Sequence, residues 1–162
     1  MGEEKVITEK WLDKHDACNA GMGWFRKNFP DGAKISDVLV GIVTDDGAEG
    51  SWVSWLMSRA KYTCTDWVSK LPLSVGGYLD LSGTGITALP EGLSVGGSLY
   101  LRGTGITALP EGLSVGGSLD LRGTGITALP EGLSVGGSLY LRGCKGIKKK
   151  DIPDRFKGKV VW

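Results

Sequence analysis

Hydrophobic and polar positions along this chain follow two different rhythms. Up to about residue 66 the apolar residues recur at spacings of three and four, which is one face of a helix. From about residue 67 they fall into a unit of 20 residues that returns almost unchanged. Gly103 to Leu119 is identical to Gly123 to Leu139 at every position. A period of that length predicts stacked coils, each burying its apolar edge against its neighbours, and not a globule around one enclosed pocket.

In the first part, four polar residues stand where helix caps belong. Thr8 predicts a helix through Lys14, Asp16 one from Ala17 to Phe29 stopped by Pro30, Ser36 one from Asp37 to Val43, and Ser51 one from Trp52 to Lys61. Cys18, Met22, Phe25 and Phe29 share one face of the second helix, and Trp52, Trp55 and Leu56 share one of the fourth. Trp11, Trp24, Trp52 and Trp55 are expected to form much of one small core.

Inside one coil the apolar positions are Val95, Leu99, Leu101, Ile106, Leu109 and Leu113. Leu99 and Leu101 alternate with polar neighbours, so Ser98 to Arg102 reads as a short strand with one buried face. Gly96–Gly97 and Gly103 bracket it with tight bends. Pro110 denies a regular ladder to the return leg, which is expected to be irregular. Leu71 to Gly77 reads as a shortened unit, so the stack starts near Trp67 and decays after Gly143. Lys157 to Trp162 is expected to close it as a last extended segment. The organisation is α+β: a helical cap over 1–66, a repeat solenoid over 67–147 and a basic C-terminal cap over 148–162.

The string Leu99–x–Leu101–x–x–Thr104–x–Ile106 resembles the core of a leucine-rich repeat, with Thr84, Thr104 and Thr124 in the place of the family's asparagine and Cys144 matching it in the last coil. The Leu109–Pro110 step and the 20-residue length are similar to the short bacterial class. Gly96 departs from the pattern, because a leucine is expected there. The resemblance implies a parallel β-solenoid used for protein recognition. The N-terminal string from Trp11 to Phe25, with Trp52–x–x–Trp55–Leu56, resembles a small module of uncharacterised bacterial and phage proteins. It implies a bacterial or phage source and no activity.

Parallel stacking at about 4.8 Å per coil sorts the outward positions into three columns: Tyr78, Ser98, Ser118 and Ser138; Asp80, Tyr100, Asp120 and Tyr140; Ser82, Arg102, Arg122 and Arg142. Only here do side chains differ between coils. Tyrosine, arginine and aspartate are residue types that binding surfaces use. Tyr78, Asp80, Tyr100, Arg102, Asp120, Arg122, Tyr140 and Arg142 are therefore the candidate partner-binding residues, set against the alternative of a merely solvated sheet face. Four coils span about 15–20 Å, enough for a small interface.

Charge is uneven. Residues 1–66 carry 8 basic and 11 acidic side chains, net −3, residues 67–142 carry 4 and 5, net −1, and residues 143–162 carry 7 and 2, net +5. Only the tail, with Lys145, Lys148, Lys149, Lys150, Arg155, Lys157 and Lys159, offers a nucleic-acid contact. The competing reading is a solvated cap that stops end-to-end stacking.

Chemistry is sparse elsewhere. Cys64–Thr65–Asp66 matches a Cys-x-Asp motif of ubiquitin-ligase domains but lacks the rest of such a domain. His15 stands alone, and no metal set or phosphate loop is present. Regular threonine rows at 84, 104 and 124 and at 87, 107 and 127 suggest an ice-binding face, but the first row is expected to turn inward. Three cysteines without a CxxC spacing fit a reducing cytoplasm, and no apolar run is long enough to span a membrane. The sequence thus points to a cytoplasmic, non-enzymatic protein-interaction module without cofactors. A nucleic-acid role for the tail, and a spacer role for the repeats with the function in the helical unit, are the alternatives.

Overall fold

A computed structural model describes residues 5–44, 51–60 and 73–162. A few helices lead into a parallel β-solenoid, as the two sequence rhythms require. Lys61, the tripeptide Cys64–Thr65–Asp66, Trp67 and the Leu71–Pro72 start of the shortened unit lie outside the described residues.

In the helical unit, α1 (Glu9–Lys14) begins where expected, because the Thr8 hydroxyl accepts the Trp11 N–H at 3.2 Å. The second helix, α2 (Asn19–Asn28), starts later than Asp16 suggested. Asp16 instead takes a left-handed turn with φ 58°, which aspartate tolerates better than most residues. Cys18 becomes the cap, its sulfur accepting the Gly21 N–H at 3.4 Å. The third helix, α3 (Ile35–Thr44), starts one residue before Ser36, which is buried inside it. The fourth, α4, runs Ser51–Ala60. A two-stranded antiparallel sheet, β1 (Val6–Ile7) with β2 (Ala33–Lys34), ties the first residues to the start of α3. Two-residue strands carry no periodic signal, so sequence patterning missed this pair.

The core of this unit is aliphatic rather than tryptophan-rich. Ile7, Ile35, Leu39, Val53 and Leu56 are fully enclosed together with Phe25, whereas Trp11, Trp24, Trp52 and Trp55 are only partly buried around it. Indole is too large to enclose easily and carries an N–H that needs a partner. The rings meet edge to face instead, Trp24 with Trp52 at 5.9 Å and Trp11 with Trp55 at 6.4 Å between centroids.

Each coil contributes two strands, not one. Ser–Val strands β3 (Ser74–Val75), β5 (Ser94–Val95), β7 (Ser114–Val115) and β9 (Ser134–Val135) form one parallel sheet, in order. Leucine-led strands β4 (Leu79–Asp80), β6 (Leu99–Tyr100), β8 (Leu119–Asp120) and β10 (Leu139–Tyr140) form the other. Every pairing steps by one repeat, Leu99 against Leu119 and Ser94 against Ser114. In a parallel ladder N–H groups donate to both neighbouring strands. Leu99 N–H donates forward to the Ser118 carbonyl at 2.9 Å, and Gly116 N–H donates back to Val95 at 2.8 Å. All six apolar positions from Val95 to Leu113 are buried, Leu129 in the next coil is partly so, and the return leg after the glycine bend forms no strand.

The glycine pair between the strands explains why Gly96 replaces a leucine. A Cβ on Gly96, Gly116 or Gly136 would stand 2.3, 2.2 or 2.1 Å from the carbonyl oxygen of the equivalent glycine in the coil before. No side chain fits where the backbones approach so closely.

Both ends of the described stack are covered. Helix α4 packs against β4 of the first coil. At the other end β11 (Val160–Val161) pairs in parallel with Leu139–Tyr140, the closing segment that the sequence suggested. Arg155 donates to the Pro130 and Glu131 carbonyls, and the Lys159 ammonium to those of Val135 and Gly136. Two of the basic tail's cations are thus bonded to backbone carbonyls at the end of the stack.

Candidate functional site

The outward face of the β4–β6–β8–β10 sheet is built by alternation, because Leu79, Leu99, Leu119 and Leu139 point into the core. It is wider than the sequence suggested. Val161 is in register with Tyr140 and extends the second column by one half-exposed residue. The signal was present in the Val–Val–Trp ending, but its register was not.

The three columns divide into structural and available residues. In the first, Ser98 Oγ accepts the Ser118 N–H at 3.0 Å and Ser118 Oγ accepts the Ser138 N–H at 3.1 Å. These hydroxyls are rungs between coils. Tyr78 takes the same position in the first coil, 43% exposed, with its ring 6.4 Å from that of Tyr100, which is 37% exposed, in a T-shaped pair.

In the second column the aspartates hold the chain's next bend. Asp80 Oδ1 accepts the Ser82 N–H at 2.9 Å, and Asp120 Oδ1 accepts the Arg122 N–H at 3.0 Å, the local side-chain-to-backbone bond at which aspartate excels. Asp120 is only 3% exposed. Its carboxylate is also gripped by the Arg122 guanidinium, Nε at 2.9 Å and Nη2 at 2.6 Å. Burial works to raise the Asp120 carboxyl. The hydrogen bonds from Arg122, and the charges of Arg122 and Arg102, outweigh it and hold the group below the usual carboxylate range. Arg122 in turn lies 5.5 Å over the Tyr140 ring. Asp120, Arg122 and Tyr140 therefore form one fixed cluster.

In the third column, Arg102, Arg122 and Arg142 line a groove of about 480 Å³, floored by Gly103, Gly123 and Gly143. The glycines have φ of 66°, 70° and 85°. Their left-handed bend, without a Cβ, leaves the groove open. Arg102 and Arg142 are exposed and make no side-chain hydrogen bond to another described residue. The structure thus brings all eight candidate residues onto one face, but Asp80 and Asp120 are used up in holding it.

The threonine rows separate. Thr84, Thr104 and Thr124 are buried, and their hydroxyls donate to the carbonyls of Leu81, Leu101 and Leu121 at 2.6, 2.8 and 2.7 Å. Cys144 sends its thiol to the same Leu121 carbonyl at 3.0 Å. The inward-facing row does part of an asparagine's work and is not available for ice. Thr87, Thr107 and Thr127 are exposed.

In the helical unit, His15 stacks on Trp11 at 4.0 Å and its Nδ1 bonds the Trp11 carbonyl at 2.7 Å, so its ring is locally satisfied. Beside it an apolar cleft of about 350 Å³ opens between Trp24, Trp52, Trp55 and Phe25, with Cys18 at its edge. Residues 1–64 match the family model of the YdhT N-terminal domain. The match covers the helical unit and stops before the described coils. No curated protein and no solved structure matches the chain. Among the described residues no helix is long and apolar enough to cross a membrane.

Proposed function

We propose that the protein is a non-enzymatic, cytoplasmic protein-interaction module of bacterial or phage origin that holds its partner on the outward strand face. The observation that carries this reading is the division of that face. Tyr78 and Tyr100 stand exposed as a paired aromatic surface on the same face as two exposed arginines, Arg102 and Arg142, whose side chains hydrogen-bond no described residue. Rigid aromatic area next to forked donors is what interfaces concentrate at their centres. The coils are read as leucine-rich-repeat-like, supported by the buried Thr84, Thr104 and Thr124 at the asparagine position.

Affinity capture from a bacterial lysate tests this, with wild type beside Tyr100→Ala/Arg102→Ala. Arg122 is the wrong residue to remove, because its loss would strand the buried Asp120 carboxylate. Loss of captured proteins in a variant that keeps the wild-type circular dichroism supports the reading, and full retention sinks it. A second reading, with the repeats as a spacer, is favoured by the apolar cleft of the YdhT-like unit. It predicts that Trp52→Ala, and not the face variant, loses the partner.

A further inference from the structure

We infer that the arginine groove is an oxyanion subsite and that its occupant is an acidic, extended segment of the protein partner. This rests on the strand-face reading above and names the chemistry of its partner. Three arginines one coil apart, about 4.8 Å at the backbone, line one groove together with the glycines that follow them. Like charges at that spacing repel one another. Asp120 hydrogen-bonds only the middle one, and its charge also reaches Arg102 without occupying that fork. The outer two forks, Arg102 and Arg142, remain open on either side of a neutralised centre. A planar carboxylate accepts two parallel N–H bonds from such a fork.

The spacing selects the kind of occupant. Arg102 and Arg142 are two coils apart, roughly 9.6 Å at the backbone. Alternate side chains on an extended strand lie about 6.6–6.8 Å apart, a gap that two long side chains close by leaning together. Two free forks fit two carboxylates, and a third in the segment allows either register. A nucleic-acid strand gains affinity from the number of phosphates it neutralises, and two open forks beside the carboxylates of Asp80 and Asp120 are a poor track for it. Tyr100 and Tyr140 stand in the column next to the arginines, with Tyr78 one column further on the same side, so the residues between the partner's carboxylates have aromatic surface to lie on.

The test uses the full chain and fluorescence anisotropy with a labelled peptide of alternating aspartate and serine bearing three aspartates. The asparagine analogue, and an eight-residue oligothymidylate, serve as comparisons. Saturable binding is expected, at least ten-fold weaker for the asparagine analogue and for Arg102→Gln/Arg142→Gln. It should be unchanged in Lys148→Gln/Lys149→Gln/Lys150→Gln. Equal binding of the two peptides overturns the inference, as does loss in the lysine variant. So does oligothymidylate binding that is tighter than the peptide's and lost with Arg102 and Arg142. Absence of peptide binding alongside partner loss in Tyr100→Ala/Arg102→Ala overturns the carboxylate assignment and leaves the face as an interface. Absence of both effects overturns the two readings together.

Discussion

Replacing Gly116 with alanine tests the physics of the stack at its tightest point. The added Cβ would stand 2.2 Å from the Gly96 carbonyl oxygen and 3.1 Å from its carbonyl carbon, both backbone atoms that cannot rotate away. Restoring an ordinary carbon–oxygen separation requires the two coils to part by about 1 Å. Three of the ladder bonds that cross that junction in the same sheet are Ser114 to Leu93 at 3.0 Å, Gly116 to Val95 at 2.8 Å and Gly117 to Gly97 at 2.9 Å. Stretched by that amount, none remains a hydrogen bond. At about 1 kcal/mol each the three bonds come to about 3 kcal/mol, and overpacking strain of about 1–3 kcal/mol brings the cost to about 4–6 kcal/mol. That is a large part of the roughly 5–15 kcal/mol that a folded domain has in total. For a chain of this length it lowers Tm by about 8–24 °C.

The control is built into the repeat. Gly77 belongs to the same glycine pair in the first coil, and a Cβ there meets nothing within 4 Å. Gly77→Ala should stay within about 0.5 kcal/mol of wild type. Thermal melts followed by far-ultraviolet circular dichroism read both. A Gly116→Ala protein melting within 2 °C of wild type, or an equal loss in Gly77→Ala, refutes the argument from close backbone approach.

Asp120→Asn should remove part of the acid sensitivity of the fold. The native carboxyl is held below its usual range, so its contribution is complete above the unfolded value of about 3.9 and is lost as pH falls from there through the lowered native value. Urea titrations at pH 7 and pH 3 should show the variant less stable than wild type at pH 7 and the gap closing at pH 3. Thr104→Val removes the buried hydroxyl that donates to Leu101 and should cost about 0.5–1.5 kcal/mol. Thr107→Val, on the exposed row, should stay within about 0.5 kcal/mol, and urea unfolding separates the two. Arg155→Ala/Lys159→Ala uncovers the last coil's carbonyls. Amide exchange at Leu139 and Leu141, whose N–H groups donate to the closing segment, should rise at least ten-fold, with Leu99 and Leu101 unchanged.

The repeat made most of the fold legible. Period 20 gave the pitch, the alternation at Leu99 and Leu101 gave one strand, and the glycines marked its ends. The second strand, Ser94–Val95, was not readable, because two residues before a glycine pair carry no alternation to detect. The tryptophan core was misplaced for a different reason. Helical spacing says which residues share a face but not how deep that face lies, and bulky indoles stay at the rim while Ile35, Leu39 and Leu56 fill the centre. Of the site, the columns and their members were legible and their duties were not. Nothing in the letters says that Asp80 and Ser98 face the same way as Tyr100 yet are bound into the backbone, since that depends on which N–H groups the bend leaves open.

Those duties decide what variation between the coils can mean. Inward positions are confined to copies, because each side chain packs against its equivalent one coil away and a change in one coil strains two junctions. Outward positions are free of that constraint, yet half of their variation is still structural. Aspartate at positions 80 and 120 supplies a cap to the following bend. Placing aspartate in alternate coils also keeps two carboxylates from standing one pitch apart, which would cost like-charge repulsion in a face that already stacks three arginines. Once those residues are set aside, Tyr78, Tyr100, Arg102 and Arg142 are left with no bond in the fold that demands them. Tyr140 is partly committed through Arg122. A sheet face that needed only solvation would be served by serine and threonine at these positions, as the exposed Thr87, Thr107 and Thr127 row shows on another side of the same coils. The two exposed tyrosines and two open guanidiniums are the part of the sequence that stacking does not explain, and they share one face of the solenoid.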